Sequence, residues 1–366
     1  MGLLLENAGY NVNCLKIDPY LNIDAGMFNP IEHGETFVLS SGLETDQDMG
    51  NYERFLNKNL NSSDYLTSGM LYKEVIDKER SFYYKGKTVE AVPHITEAIR
   101  ERIEASAKNS KADIQLIEIG GTLGDFQNEL FIESARFMKL KNKENVSFVL
   151  VSYLPKPSAL GEVKTRPTQH AIQLLNSYGI NPDLIIARSE KELTGDKRKK
   201  IANSCGLDIQ QIISAPDISN IYNTPVNFYK NGLNETLLKI LKLKKIKVAI
   251  VGKYGFSNDG LLKDAYLSVS EAIKFSCAKN NLYPEIDYIY SGNFEKSKNN
   301  LSDFKKYNAV IIAGGFGENG IDGKINIMKY LRENNIPTLG ICYGLQLMAV
   351  ELCRNVLKKT MPIPQR

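Results

Sequence analysis

The alternation of two local patterns constrains this chain most. Apolar runs rich in β-forming residues recur between segments with helical periodicity. Strand–helix alternation is typical of parallel sheets that are covered by helices on both faces, so we predict an α/β fold. The predicted strands are Val12–Ile17, Ile114–Ile119, Ser147–Tyr153, Leu184–Ala187, Ile209–Ser214, Lys247–Val251, Glu285–Tyr290, Ala309–Ala313 and Thr338–Ile341.

Helical patterns fill the intervals between these strands. The first of them, Leu3 to Ala8 closed by Gly9, has the character of the last turns of a buried helix. Since ligands of parallel sheets bind at the carboxyl ends of the strands, the loops after the strands are the candidate sites. Further helices are predicted around Asp48–Asn57, His94–Ala107, Leu130–Lys139, Thr168–Tyr178, Leu261–Phe275 and Leu345–Leu352.

Length and composition bound the organisation of the chain. Its 366 residues predict two domains, over 1–232 and 247–366, with a basic amphipathic linker over 233–246. The net charge of +4 is small and the basic clusters are local, so nucleic acid is not indicated. No apolar run approaches the roughly 18 residues of a membrane span. Five scattered cysteines without a Cys-x-x-Cys pair predict a reducing, cytoplasmic location and no structural zinc.

Two acidic motifs of the first domain have alternative interpretations. The segment Glu118-Ile-Gly-Gly-Thr-Leu-Gly-Asp125 follows a predicted strand. A strand-end carboxylate and glycines that admit backbone N–H groups suit a phosphate and magnesium site, although a plain glycine turn is equally compatible. Asp46 and Asp48 lie where a loop enters a helix. They are helix caps or magnesium ligands, and their spacing does not decide between the two.

Basic residues of the first domain indicate phosphate binding. The loop Gly161-Glu-Val-Lys-Thr-Arg-Pro-Thr-Gln-His170 places two cations, two hydroxyls and an amide before a helix. This arrangement suits a polyphosphate, and the alternative is a solvated basic loop. Lys16, at the end of the first strand, is either another phosphate contact or a simple strand-end lysine.

The second domain contains a candidate nucleophile. Cys342 lies in a Gly-Ile-Cys-Tyr-Gly turn between a predicted strand and a helix, which is how α/β enzymes present a nucleophile. Glycine loops after two other strands could supply N–H groups to an oxyanion. A nucleophilic cysteine needs a base, usually histidine, and no histidine follows Cys342. The alternative is an inert thiol, which we predict for the remaining cysteines: Cys14, Cys205, Cys277 and Cys353.

These motifs resemble those of CTP synthases, and they occur in the same order. The resemblance extends to about Leu357 and implies a P-loop-type parallel-sheet amidoligase domain followed by an incomplete class I glutamine amidotransferase α/β domain. Besides the segments already quoted, it rests on Lys-Ile-Asp-Pro-Tyr (16–20), Glu-Thr-Asp-Gln-Asp (44–48), Tyr-Glu-Arg-Phe (52–55), Pro-His-Ile-Thr (93–96), Val-Gly-Lys-Tyr (251–254) and Gly-Gly-Phe-Gly (314–317).

The resemblance implies an enzyme that uses ATP and Mg²⁺ to phosphorylate O4 of UTP. Ammonia from glutamine, released through a cysteine thioester, then gives CTP. CTP is also expected as a feedback ligand, and the chain is expected to form a homotetramer. The residues carried over are Cys342 as the nucleophile; Asp48 and Glu118 for Mg²⁺; Lys16, Asp48, Asp217 and Ile218 for ATP; Asp125, Phe126, Gln127, Lys164, Thr165, Arg166, Pro167, Thr168, Gln169 and Lys200 for UTP or CTP; and Gly315, Tyr343, Gly344, Leu345 and Gln346 for glutamine.

Three departures from the family pattern leave the function open at this point. The family's first strand and glycine-rich phosphate loop, and its glutaminase His and Glu, lie outside this sequence, so we expect a chain truncated at both ends. Gln127 replaces an acidic residue. The hypotheses are therefore a CTP synthase and a catalytically impaired fragment that binds UTP or CTP or joins full-length subunits. A different P-loop-related synthetase, such as a biotin-pathway ligase, would not explain the cysteine domain.

Overall fold

The chain divides into two units by its internal contacts. The computed structural model describes residues 1–157, 161–256, 260–280, 282–295 and 301–364. Unit 1 comprises Met1–Lys242 and unit 2 comprises Leu243–Arg366. Residues 365 and 366 of the predicted second domain lie outside the described residues. The division falls within the segment that the sequence predicted to be a linker.

Unit 1 consists of strands that alternate with helices, as predicted. A short antiparallel hairpin, β2–β3, interrupts the alternation. In chain order the elements are α1 (Gly2–Asn7), β1 (Val12–Asp18), α2 (Pro30–His33), β2 (Thr36–Val38), β3 (Glu44–Asp46), α3 (Gln47–Leu56), β4 (Tyr65–Thr67), α4 (Ser68–Arg80), α5 (Thr96–Ser110), β5 (Ile114–Ile119), α6 (Glu129–Lys141), β6 (Val149–Tyr153), α7 (Arg166–Ser177), β7 (Leu184–Ser189), α8 (Gly195–Cys205), β8 (Ile212–Pro216), α9 (Thr224–Lys230) and α10 (Leu233–Ile240).

Two parallel three-stranded sheets organise unit 1. Their strand orders are β4-β1-β5 and β6-β7-β8. The central strand β1 is buried at every position, because it has a neighbour on each side. Its register pairs Lys16 with Glu118 of β5, which brings two polar side chains to the carboxyl ends of adjacent strands. The chain therefore has the parallel architecture that the alternation indicated.

Two outer strands of these sheets, β5 and β6, are less covered than the prediction of helices on both faces implies. Each of β5 and β6 has one hydrogen-bonded neighbour among the described strands. Ile117 of β5 and Val151 and Tyr153 of β6 are exposed, Tyr153 by 57%. Burial is thus complete at β1, interrupted at β7 by the exposed Arg188, and incomplete at these two outer strands. Elsewhere the apolar side chains of both sheets pack against helices, with Leu15, Ile99 and Phe131 in one cluster and Ile172, Ile185 and Ile201 in another.

Unit 2 contains one parallel sheet of four strands in the order β12-β9-β13-β14. Its core lies under α12 and α13 and includes Val251, Ile312, Leu331 and Leu347. A two-stranded hairpin, β10–β11, precedes the first helix. The elements are β9 (Lys244–Gly252), β10 (Gly255–Phe256), β11 (Gly260–Leu261), α11 (Leu267–Lys279), β12 (Leu282–Tyr290), β13 (Ala309–Ile312), α12 (Ile321–Glu333), β14 (Thr338–Gly340) and α13 (Tyr343–Asn355).

Short helical turns complete the two units. They join the main elements or precede a helix or strand. They are Ser62–Asp64, Phe126–Asn128, Ile209–Gln211 and Ile221–Asn223, with a π turn at Ala91–Ile95, in unit 1, and Lys263–Tyr266, Ser291–Phe294 and Leu301–Lys306 in unit 2.

Three predicted elements differ from the structure. The linker predicted over 233–246 instead contains α10, which buries Leu233, Leu237 and Leu238, and the start of β9. The strand predicted at Ile209–Ser214 begins only at Ile212, because a capping box between Asp208 and Gln211 winds its first residues into a 3₁₀ turn. The helix predicted from Leu261 begins at Leu267, after the hairpin and a 3₁₀ turn.

Among the described residues, no helix is both long enough and apolar enough to cross a lipid bilayer.

Candidate functional site

In unit 1 the side chain of Lys16 lies at the centre of a group of charged side chains, whose other members are Asp18, Asp48 and Glu118. Lys16 is buried, and its Nζ donates to Asp48 Oδ2. The same Nζ lies 3.4 Å from Asp18 Oδ1 and 3.4 Å from Glu118 Oε1. Parallel pairing of β1 with β5 places Glu118 beside Lys16. Asp48 comes from the first turn of α3, where the Asp46 side chain accepts a hydrogen bond from the Asp48 backbone N–H at 2.9 Å.

The charges of this group determine its protonation. Burial by itself lowers the pKa of Lys16, but the carboxylates of Asp18, Glu118 and Asp48 outweigh it and hold the pKa above the usual value. Burial raises the pKa of Asp18, and the Lys16 ammonium opposes that shift. Lys16 therefore keeps its charge. The side chains of Asp48 and Glu118 are 40% and 53% exposed, so both carboxylates can be reached from solvent.

Two residues of this group were missed by the sequence-based prediction. Asp18 contacts Lys16, and the Tyr20 hydroxyl donates to Asp18 Oδ2 at 2.9 Å. The Tyr52 hydroxyl donates to Glu118 Oε2. Both residues had a detectable signal. Asp18 is two positions after Lys16 on a strand, and Tyr52 is one helical turn after Asp48, so each pair shares a face.

Asp48 and Glu118 satisfy the first requirement of a cation site. Both carboxylates contact one ammonium, so they are already spaced around a single positive charge. Mg²⁺ is commonly held by one or two carboxylates together with water and substrate phosphates. Among the described residues no set of three or more His, Cys, Asp or Glu side chains is arranged around a metal position. The pair fits a metal that arrives with phosphates better than a closed protein site.

The polar residues of the loop before α7 and of the first turn of α7 differ in their exposure to solvent. Thr165 and Thr168 are buried, and the Thr168 hydroxyl lies 2.9 Å from the Ser152 hydroxyl of β6. Thr168 thus already has a partner on the sheet. The other predicted nucleotide ligands have accessible surface, namely Lys164 in the loop and Arg166, Pro167 and Gln169 in the first turn of α7. The helix that begins at Arg166 directs its first N–H groups and its positive dipole toward this loop.

The remaining predicted ligands of unit 1 lie on other elements. Asp125 precedes the turn Phe126–Asn128, and its Oδ2 accepts from the Thr122 N–H at 3.2 Å, while Phe126 is 86% exposed. Gln127 and, on α8, Lys200 are also exposed. After β8, the Asp217 N–H donates to Ser189 O at 2.9 Å and its carboxylate lies 3.7 Å from Arg188. Ile218 follows it with part of its surface exposed.

In unit 2, Cys342 lies between β14 and α13 in a strained turn. Its φ of 54° and ψ of −114° are unusual for a residue with a side chain, and the thiol side is exposed. Both flanking glycines are required by close packing. A Cβ on Gly344 would lie 2.1 Å from Ile312 O, and one on Gly340 would lie 2.5 Å from Met348 Sδ. The Gly-x-Cys-x-Gly pattern therefore has a steric cause.

The loop 314–317 packs against this turn. Because β13 and β14 are parallel neighbours, their carboxyl ends meet. A Cβ on Gly314 would lie 3.3 Å from Cys342 Cβ and 3.7 Å from its Sγ. The Phe316 N–H donates to the Tyr254 hydroxyl at 2.7 Å. Gly315 has a φ of 145°, and a Cβ there would lie 2.7 Å from Lys253 Cδ, so the loop needs glycine at this position.

Two buried lysines also hold this loop. Lys253 Nζ donates to Gly317 O, and Lys324 Nζ donates to Ala313 O and, at 3.2 Å, to Gly314 O. Neither lysine was predicted as a site residue, although Lys253 lies in the quoted Val-Gly-Lys-Tyr motif. Lys324 had a weak signal, since it falls on the apolar face of α12.

The predicted glutamine ligands are divided between the surface and the core. Leu345 is 61% exposed, and Gly315 lies in the loop beside Cys342. Tyr343 and Gly344 are buried, and the Tyr343 hydroxyl donates to Pro364 O at 3.0 Å. The buried Oε1 of Gln346 has no hydrogen-bond partner among the described residues. Tyr343 and Gly344 thus contribute to packing beneath the turn.

Burial separates the other cysteines from Cys342. Cys14 and Cys277 are buried, and Cys205 and Cys353 are partly buried. Burial raises the pKa of the Cys14 thiol to about 12 and also raises the pKa of Cys277. Since the thiolate is the nucleophilic form, burial disfavours reaction at Cys14 and Cys277.

Comparison with known protein families assigns each of the two units to a family. The model for the CTP synthase N-terminus matches residues 1–243, and the model for class I glutamine amidotransferase matches residues 261–364. The chain belongs to the CTP synthase family. This family uses ATP as co-substrate and acts on UTP and glutamine.

Two individual relatives, both CTP synthases, support the same assignment. The CTP synthase of Sulfolobus acidocaldarius is 41% identical over 98% of this chain and 70% of its own length. That of Pyrococcus abyssi is 43% identical over 98% of this chain and 69% of its length. A solved glutaminase domain of Trypanosoma brucei CTPS, with bound acivicin, is 31% identical over 31% of this chain and 42% of that chain, with a TM-score of 0.28.

Proposed function

We propose that this chain aminates UTP to CTP at the expense of ATP, with unit 1 as the amidoligase and unit 2 as the source of ammonia from glutamine. The observation that carries this proposal is the group around Lys16. A charged lysine and two solvent-accessible carboxylates lie together at the carboxyl ends of two parallel strands. This is where open α/β sheets bind nucleotides, and the charges suit a polyphosphate and its metal ion.

In this proposal Asp48 and Glu118 would hold Mg²⁺ when ATP is bound. When bound, the ion neutralises charge on the transferred phosphoryl group. Lys16 adds a second positive charge beside the same phosphates. Asp217 and Ile218, after β8, contact the adenine. Transfer of the γ-phosphoryl group to O4 of UTP releases ADP. Ammonia then attacks C4, and O4 leaves with the phosphoryl group as inorganic phosphate.

The uracil nucleotide is assigned to the loop and helix N-terminus after β6. Backbone N–H groups of α7 and the side chains of Lys164 and Arg166 bind its phosphates. Product CTP overlaps this site and acts as a feedback ligand. The remaining residues of the proposed site are Asp125, Phe126, Gln127, Thr165, Pro167, Thr168, Gln169 and Lys200.

In unit 2, the Cys342 thiolate attacks the side-chain amide carbon of glutamine. The new C–S bond drives the carbonyl π electrons onto oxygen, and backbone N–H groups stabilise the resulting oxyanion. The C–N bond then breaks, the nitrogen takes a proton from water and ammonia leaves. The hydroxide that remains hydrolyses the thioester to glutamate and regenerates the thiolate. Gly315, Tyr343, Gly344, Leu345 and Gln346 surround the bound glutamine. We further propose a cytoplasmic homotetramer.

The test measures CTP formation by the 366-residue chain from UTP and ATP, with glutamine and separately with ammonium chloride. We expect CTP in both assays, and none when Mg²⁺ is removed with EDTA. Cys342→Ala should abolish only the glutamine-dependent reaction, whereas Cys353→Ala, a partly buried cysteine on α13, should leave both unchanged. UTP binding without CTP formation from ammonia would refute the enzymatic proposal and favour a nucleotide-binding fragment.

A further inference from the structure

Lys324 is an ionisable residue in an apolar environment, and the proposed reaction does not use it. It lies on α12 and is fully buried. Its helix neighbours Ile325, Ile327 and Met328 belong to the core of unit 2. Burial of an ammonium group is unfavourable unless compensating hydrogen bonds are formed. The hydrogen bonds that Lys324 forms therefore indicate why a lysine occupies this position.

Both hydrogen-bond acceptors of Lys324 are backbone carbonyls next to Cys342. Lys324 Nζ donates to Ala313 O and Gly314 O. Within the described residues it forms no ion pair with a carboxylate. Burial, and secondly the positive charge of Lys253, lower the pKa of Lys324 to about 7. Lys324 therefore does not act as a partner in an ion pair. Its hydrogen bonds indicate instead that it holds the backbone in place.

The orientation of these two carbonyls also sets the direction of two N–H groups. In a planar trans peptide the C=O and N–H bonds point in opposite directions. The only cis peptide found in the described residues is Val92–Pro93. Because the carbonyls of Ala313 and Gly314 point toward the buried Lys324, the N–H groups of Gly314 and Gly315 point away from it, out of the core.

Those N–H groups belong to the part of the loop that is nearest Cys342. The Cβ position of Gly314 lies 3.7 Å from Cys342 Sγ. The other two supports of the loop act further along the chain. Lys253 holds Gly317 O, and Tyr254 holds the Phe316 N–H. Lys324 is thus the support at the Cys342 end of the loop.

We propose that Lys324 is a positioning residue that fixes the peptides 313–314 and 314–315 so that their N–H groups face the carbonyl oxygen of a glutamine-like substrate at Cys342. This inference rests on the proposed glutaminase role of Cys342. Lys324 itself does not touch the substrate. Its contribution should therefore appear only in reactions that develop an oxyanion at this position.

Two thiol reagents separate this role from a general structural one. A chloromethyl ketone that carries the α-amino acid group of glutamine reacts with Cys342 by forming a C–S bond while the C–Cl bond breaks and chloride leaves with the bonding pair. Addition of the thiolate to its ketone also develops an oxyanion. Iodoacetamide alkylates the same thiolate by direct displacement of iodide, without an oxyanion. Intact-protein and peptide mass spectrometry measure both rates at Cys342 of the full chain.

Lys324→Met keeps the length and apolar contacts of the side chain but removes the donor. We expect its maximal rate with the chloromethyl ketone to fall at least about tenfold, since misplaced oxyanion donors are costly. The half-saturating concentration and the iodoacetamide rate should each stay within about twofold. Lys329→Met, on the same helix and partly exposed, is the matched control and should behave as wild type. Lys324→Arg, which retains a donor, should recover part of the rate.

The possible results lead to different conclusions. Equal losses with the two reagents, or no loss with either, would overturn the role of Lys324 and leave the glutamine site standing. If the wild-type chain shows no saturation with the chloromethyl ketone, the proposed glutamine site fails and this inference with it. If Lys324→Met does not fold, Lys324→Gln replaces it, because its shorter amide cannot reach both carbonyls, and the same selective loss is expected.

Discussion

Lys16 of unit 1 and Lys324 of unit 2 are both buried beside the carboxyl end of a parallel strand, yet their surroundings give them opposite properties. Lys16 contacts three carboxylates, and its pKa lies above the usual value although burial lowers it. Lys324 contacts two backbone carbonyls, and burial lowers its pKa to about 7. The partners, rather than the degree of burial, decide whether a buried lysine keeps its charge.

This difference corresponds to two ways of building a site on similar sheets. Unit 1 gathers charged side chains, which suits substrates that carry several negative charges. In the proposed site of unit 2, backbone N–H groups of a glycine loop take this part, which suits an oxyanion that exists only during reaction. In the second case the role of lysine is to orient the backbone. The predictions below test this contrast, in order of decreasing effect.

Removal of the Lys16 ammonium should have the largest effect of these predictions, a loss of stability in unit 1. In Lys16→Met the buried carboxylate of Asp18 loses its nearest positive charge. We expect the free energy of unfolding to fall by about 3 kcal/mol, as for other broken buried ion pairs. Urea denaturation, with hydrogen exchange of β1 peptides to report on unit 1, measures the change. Lys73→Met, which breaks an exposed pair with Asp77, should cost less than about 1 kcal/mol.

A double variant tests the electrostatic cause. Asp18→Asn in the Lys16→Met background removes the uncompensated carboxylate and should restore part of the lost stability. If Lys16→Met is no more destabilising than Lys73→Met, the contrast between the two buried lysines is wrong.

The stability of unit 2 should depend on pH through Lys324. Its pKa is about 7 in the folded chain and near the ordinary 10.5 when unfolded, so between these values the unfolded chain binds more protons. Stability should therefore rise with pH over this range, by at most about 1.4 kcal/mol per pH unit. The positive charge of Lys253 lies close to Lys324 and adds to the lowering of its pKa. Below pH 7 this rise should disappear, because both states then bind the proton.

The measurement compares urea denaturation of wild type and Lys324→Met at pH 7, 8 and 9. The difference between the two unfolding free energies isolates Lys324 from other groups that titrate in this range. Parallel pH profiles for the two proteins would show that Lys324 remains charged in the folded chain, as Lys16 does.

The smallest predicted effect concerns the orientation of Glu118. Tyr52→Phe removes the hydroxyl that donates to Glu118 Oε2 while keeping the ring. We expect Mn²⁺, as a probe for the proposed Mg²⁺ site, to bind about tenfold more weakly in the presence of ATP, because groups that orient a metal ligand have effects of this size. Electron paramagnetic resonance of free Mn²⁺ measures this. Tyr72→Phe, on α4, is the control. Unchanged Mn²⁺ affinity in Tyr52→Phe would indicate that Glu118 does not bind the metal.

Most of the scaffold could be predicted from sequence because its signals are local. The strands Val12–Asp18, Ile114–Ile119 and Ala309–Ile312 coincide with apolar, β-forming runs, and their order already indicated parallel sheets. Cys342 was recognisable from its two glycines, whose steric need the structure explains. The sequence was less informative where the structure depends on contacts with residues distant in sequence. The segment 233–246 has a linker-like charge pattern, but three leucines of α10 are buried.

The candidate sites show the same limit. Lys16, Asp48 and Glu118 were each identified as polar residues at the ends of elements, but their contact depends on the pairing of β1 with β5 and on the entry of α3. Asp18 and Tyr52 were missed because a strand or helix period shows which residues share a face and not which partner that face meets.

From the order of amino acids one could establish the α/β class, the main strands, the nucleophile turn and the family, since each depends on residues close in sequence or on motif order. The tertiary structure decided which carboxylates surround Lys16, which carbonyls face Lys324 and therefore which of the two lysines keeps its charge. The physical reason is that the pKa of a buried group depends on the solvent it loses and the partners it gains, and both are set by chain segments that meet only on folding.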